Sequence, residues 1–133
     1  LIRGTTMRHR DWVALDYLRL LMRQKWADYF REVDVLLCPV APVTAFAHDH
    51  GDFFSRTLKV NHVDRSYADT MSAWAGLTGV SFLPATVAPI GIAKDGLPVG
   101  VQIVGPFLED KTPIRFAGLI EEMTGGFKAP PGF

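Results

Sequence analysis

The sequence predicts an α/β fold in which a mixed β-sheet is flanked by helices. Three observations carry the prediction: a long segment of helical apolar spacing near the start, two apolar runs joined by Asp-Gly, and a last segment with start and stop signals for a helix. The 133 residues suit one domain, and 48% hydrophobic with 21% charged residues is the balance of a folded chain.

From about Arg8 to Arg31, apolar residues recur at steps of three and four: Trp12, Leu15, Leu18, Met22, Trp26 and Tyr29. This is an amphipathic helix, with Thr6 or Asp11 placed to cap its start. "VDVLLCP", ending at Pro39, reads as a strand buried on both faces, a setting common in parallel sheets. Residues 40–65 are the least regular, and only "RTLKV" suggests a strand there. Ser66 opens a second helix, with Asp69 three residues on in a capping-box arrangement and Gly79 as its stop. Met71, Trp74, Ala75 and Leu77 fall on its neighbouring faces. "LPATVAPIGIA" and "LPVGVQIVG" read as strands joined by a tight "KDG" hairpin turn. The final helix takes Thr112 as N-cap, Pro113 as first helical residue and Gly125 just past its end.

Charge and composition exclude several function classes. Lys+Arg and Asp+Glu are both 14, so no net basic field draws in nucleic acid or an anionic membrane. No run of about eighteen apolar residues is present, and no membrane partner is expected. Cys38 is the sole cysteine, which rules out an intramolecular disulfide and favours a reducing, cytoplasmic setting. The chain opens "LIRGTT" without an initiator Met and enters patterned sequence at once, so it reads as a piece of a longer protein.

The most conspicuous motif is "KDGLPVGVQIVG", Lys94 to Gly105. A dinucleotide fingerprint needs its glycines at a strand-to-helix turn, and a phosphate loop ends in Gly-Lys-Ser/Thr. Here the glycines lie within a strand and Lys94 precedes Gly96, so phosphate binding is excluded. Gly96 instead serves the turn, while Gly100 and Gly105 admit close neighbours in a crowded sheet. Gln102 is expected inside that packing, satisfied by backbone partners.

Other chemistry-bearing groups are weaker signals. "HDHGD", His48 to Asp52, has metal-ligand residue types but no established ligand spacing, so a solvated loop is expected and no metal. Cys38 ends an apolar strand and is expected to be buried and inert. "GVSFL" around Ser81 keeps the first glycine of a nucleophile elbow and lacks the second. No self-sufficient catalytic centre emerges from spacing alone.

"RHRDW", "VDVLLCPVAPVTAF", "YADTMSAWAGLTGVSFLPATVAPIG", "GLPVGVQIVGP", "IRFAGLIEE" and "GGFKAPP" occur in this order along nearly the whole chain. Together they resemble the C-terminal part of an amidase-signature-family enzyme. The resemblance implies a partial amidase-signature α/β/α fold spanning residues 1–133, with the catalytic part upstream. It implies hydrolysis of small-molecule carboxylic amides to acid and ammonia or amine, with no cofactor. It also implies a Ser–Ser–Lys centre, in which a lysine and a serine in a cis peptide activate the nucleophilic serine. No residue here matches that centre, so no catalytic residue is assigned, and neither Lys94 nor Ser81 fills the vacancy. Tyr67, Asp69 and Trp74 match the part that approaches the acyl side of the substrate, which makes them substrate-binding candidates. The segment alone is expected to be inactive. The alternative is a catalytically silent module that covers its apolar surface by forming a homo-oligomer.

Overall fold

A computed structural model describes residues 2–129 and Gly132. Leu1 and Pro130, Pro131 and Phe133 lie outside the described residues, and with them the end of the "GGFKAPP" motif. The elements run α1 (Ile2–Thr5), α2 (His9–Tyr29), β1 (Leu36–Pro39), β2 (Thr57–Val60), β3 (Val63–Ser66), α3 (Tyr67–Gly79), β4 (Ala85–Ile92), β5 (Pro98–Val104) and α4 (Lys111–Thr124). The α/β class follows directly from this order.

One sheet has the order β1-β5-β4, and β2-β3 forms a separate hairpin. Within the described residues every pairing is antiparallel. β1 is therefore not the parallel, doubly buried strand its apolar run suggests. It lies at the sheet edge against β5, with Cys38 buried and Leu37 exposed. An edge position needs only one covered face, and the uncovered one here carries leucine.

The hairpin linking β4 and β5 is the one the Asp-Gly pair predicts. Gly96 takes φ +84°, and Asp95 Oδ1 accepts the Leu97 N–H at 3.1 Å. Along β5, Ile103 and Val104 are fully buried on opposite faces, so packing covers both sides of the central strand. Val104 joins Cys38 and Leu83 beneath Trp26, Phe30, Leu36 and Trp74. Gly105 shares the other face with Ile103, and there its backbone meets the Pro113 ring of α4. Helices thus cover both faces of β5, a local α/β/α layering.

Helix starts agree only in part with expectation. Ser66 Oγ accepts the Asp69 N–H at 3.4 Å, as the capping arrangement requires. Gly125 closes α4 at φ +80°, its N–H donating to Glu121 O at 2.9 Å. α4 itself begins earlier than expected, at Lys111 with Asp110 as cap residue. Thr112 is already helical, and its hydroxyl donates to Glu109 Oε2 at 3.2 Å instead of capping. Neither Thr6 nor Asp11 caps α2, whose cap residue is Arg8 with no side-chain bond. Gly79 ends α3, but the reversal comes at Phe82, held at φ +55° while Leu83 N–H donates to Thr78 O at 3.1 Å.

β3 was hidden because its residues, Val63 to Ser66, are all exposed and carry no apolar alternation. The signal lies in the two-residue turn: Asn61 and His62 both take left-handed φ, 49° and 67°, the pairing a tight hairpin needs.

Candidate functional site

The β2-β3 hairpin feeds straight into α3, so the start of that helix is held from two sides. Tyr67 N–H donates to Arg56 O at 3.0 Å, fixing Tyr67 beside the start of β2. Its ring meets Phe53 edge-on at 5.4 Å and Phe46 at 6.1 Å, and the Arg56 guanidinium stands 5.7 Å from its centroid. Arg56 is oriented by two bonds to Gly51 O, from Nε at 2.9 Å and Nη2 at 2.7 Å. Asp49 and Asp52 accept backbone N–H groups two residues on, at 2.8 and 3.0 Å, which shapes the loop between them.

The result is a cleft of about 290 Å³ lined by Phe46, His48, Asp49, His50, Arg56 and Tyr67. It combines aromatic walls with a cation whose hydrogen-bonding edge is partly engaged. Such a lining suits a small, flat, polar-edged molecule. The two imidazole rings stand edge-on at 6.1 Å between centroids. Among the described residues no group of three or more His, Cys, Asp or Glu is arranged to hold a metal ion.

The three substrate-binding candidates occupy three settings. Tyr67 lines the aromatic cleft. Asp69, two residues on and therefore about 200° round the helix, faces a different depression shared with Pro42, Asp64, Arg65 and Thr70. Trp74, seven residues after Tyr67, returns to the same helix face but packs deeper, against Cys38, Leu83 and Val104. Phe46 and Arg56 line the cleft with Tyr67, Phe53 backs the Tyr67 ring, and none of these three was readable as a site residue. They come from the irregular stretch, and only the folded hairpin brings them to Tyr67.

Cys38 and Ser81 are both buried. Cys38 is 5% exposed, and Gln102 Nε2 donates to its Sγ at 3.3 Å. That contact corrects the expectation for Gln102, whose partner is a thiol and not the backbone, because β1 pairs Cys38 directly opposite Gln102. Ser81 is wholly buried, and its Oγ has no hydrogen-bond partner among the described residues. An orphaned buried hydroxyl costs stability. Ser81→Ala is expected to leave stability unchanged or raise it by up to about 1 kcal/mol. Urea unfolding of the variant measures this, and a loss above that size would reveal a bond to the hydroxyl.

The described elements form an α/β fold in which helices pack on both faces of an antiparallel sheet. The chain belongs to the amidase family, whose Amidase model matches residues 3–113. It is 36% identical over 113 residues to a glutamyl-tRNA(Gln) amidotransferase subunit from Exiguobacterium sp., covering 85% of this chain and 21% of that protein. The same-named protein of Rhizorhabdus wittichii is 36% identical over 114 residues, with 86% and 21% coverage. The chain thus spans about a fifth of the length of the curated relatives it matches. Among solved structures, one titled "Crystal structure of amidase" aligns with TM-score 0.75 at 22% identity, over 93% of this chain and 27% of the other. A second, described as a vestigial protein complex that reveals the evolutionary origins of an s-triazine catabolic enzyme, aligns with TM-score 0.75 at 24% identity, over 97% and 27%. These two likenesses concern the fold. No helix among the described residues is long and apolar enough to cross a membrane.

Proposed function

We propose that this chain is the C-terminal part of an amidase-signature domain that hydrolyses small carboxylic amides in the cytoplasm. Water is added across the C–N bond, giving a carboxylic acid and ammonia or an amine. The nucleophilic serine, its partner serine and the lysine belong to the preceding part of the domain, and the segment alone is inactive. The observation that carries this reading is the family match over residues 3–113, beside a buried Ser81 whose hydroxyl has no partner among the described residues and a buried Cys38 whose thiol accepts from Gln102. The amidotransferase relatives support a reaction at a carboxamide.

In this reading Tyr67 forms the acyl-side wall of the substrate pocket, with Phe46, Phe53 and Arg56 holding its ring. Trp74 supports the same helix face from the core, and Asp69 borders the adjoining depression. The test is a chimera in which this segment replaces its counterpart in a structurally similar amidase. Tyr67→Ala in the chimera should raise KM for aromatic amides about tenfold with kcat little changed, the signature of lost ground-state binding. Kinetics indifferent to that substitution would remove Tyr67 from the pocket.

A further inference from the structure

The cleft beside Tyr67 offers more hydrogen-bond donors than acceptors. Its charged lining residues are Arg56 and Asp49, joined by His48 and His50. Each imidazole carries at least one N–H whatever its tautomer. Asp49 Oδ1 is already engaged by the Gly51 N–H at 2.8 Å. Arg56 forms no ion pair with Asp49, nor with any other carboxylate among the described residues.

The guanidinium is held in one orientation with donors to spare. Gly51 O accepts from Nε and Nη2, the side edge of the group. The end edge, one N–H each from Nη1 and Nη2, has no partner among the described residues. Arg56 lines the cleft and Gly51 does not, so the end edge is the one left to the cleft. Two parallel N–H groups on a rigid fork match the two oxygens of a carboxylate. A guanidinium already tied to the backbone also loses little freedom on binding. The walls add a requirement of shape. Tyr67 and Phe46 stand edge-on at 6.1 Å, and Phe46 is 41% exposed, which leaves aromatic surface for a flat ring.

We infer that the cleft selects aromatic amides whose acyl part carries a carboxylate, with the end edge of Arg56 binding that carboxylate and the Tyr67 and Phe46 rings flanking the arene. The inference rests on the reading of Tyr67 as the acyl-side wall of the substrate pocket. Asp49 repels the same carboxylate and so moderates the preference.

Titration calorimetry of the purified chain with 4-carbamoylbenzoate and with its neutral counterpart 4-(hydroxymethyl)benzamide tests this. The acid should bind about tenfold more tightly. Arg56→Gln should equalise the two affinities, while Arg56→Lys, a point charge without the fork, should keep a preference of only about threefold. Asp49→Asn retains an acceptor for the Gly51 N–H and should widen the preference by about threefold. The ratio of the two ligands cancels any change in the loop that both feel. Equal affinities in the unaltered chain, no binding of either ligand, or a preference that survives Arg56→Gln would each overturn the inference. Equal affinities beside chimera kinetics that respond to Tyr67→Ala would sink this inference and spare the pocket reading. A carboxylate preference beside kinetics indifferent to Tyr67→Ala would instead remove the pocket reading, and the substrate assignment with it.

Discussion

Gly105→Ala should lower the stability of the chain by about 3 kcal/mol, a large effect for one methyl group. An added Cβ would stand 2.6 Å from Pro113 Cδ and 3.0 Å from Pro113 Cγ. Those atoms belong to a ring that is itself fully buried and cannot rotate aside. The Gly105 N–H also donates to Pro84 O at 2.9 Å, which limits how far the end of β5 can retreat. The start of α4 must therefore lift away from the sheet. Gly118 supplies the internal control: it lies within α4 with nothing within 4 Å of an added Cβ. Gly118→Ala should raise stability by about 0.5–1 kcal/mol through helix propensity and a less flexible unfolded chain. Urea midpoints of the two variants give the comparison. Equal effects would mean that the close approach of strand and helix at Gly105 is not present.

Trp74→Ala should cost about 3 kcal/mol, because the indole closes the cluster of Cys38, Leu83 and Val104 over one face of the central strand. A pocket residue without a packing role would behave differently, losing substrate affinity while stability stayed within about 0.5 kcal/mol. Thermal unfolding of the Trp74→Ala and Tyr67→Ala variants separates the two roles on α3. Tyr67 lines an open cleft, so its loss should be the smaller in stability.

What could be read before folding, and what could not, follows physical lines. The Asp-Gly hairpin, the Ser66 cap and the Gly125 stop depend on local backbone chemistry, and each stands where its residues require. Gly105 was legible as a close approach, although its partner, Pro113, was not. Longer-range facts escaped. The apolar run at Cys38 looked the same whether central or at an edge, because strand neighbours are set by β5, some sixty residues away. Gln102 was legible as a buried polar group, but only the β1-β5 register makes Cys38 its partner. The aromatic cleft is the extreme case. Tyr67 carried a signal through the family motif, whereas Phe46, Phe53 and Arg56 gain meaning only when the loop folds back on α3. The amphipathic reading of α2 found a real helix but not which face would be covered, since its inward stripe is charged along Asp16, Arg19 and Arg23 and apolar only at Trp26 and Phe30.

The central claim is that this segment carries amidase framework and pocket wall but no nucleophile. The most direct measurement is release of ammonia or amine by the purified chain from a panel of aliphatic and aromatic amides, alongside its Ser81→Ala and Cys38→Ala variants. The account predicts no turnover above the uncatalysed background for any of the three. Turnover by the unaltered chain that either substitution abolishes would contradict it.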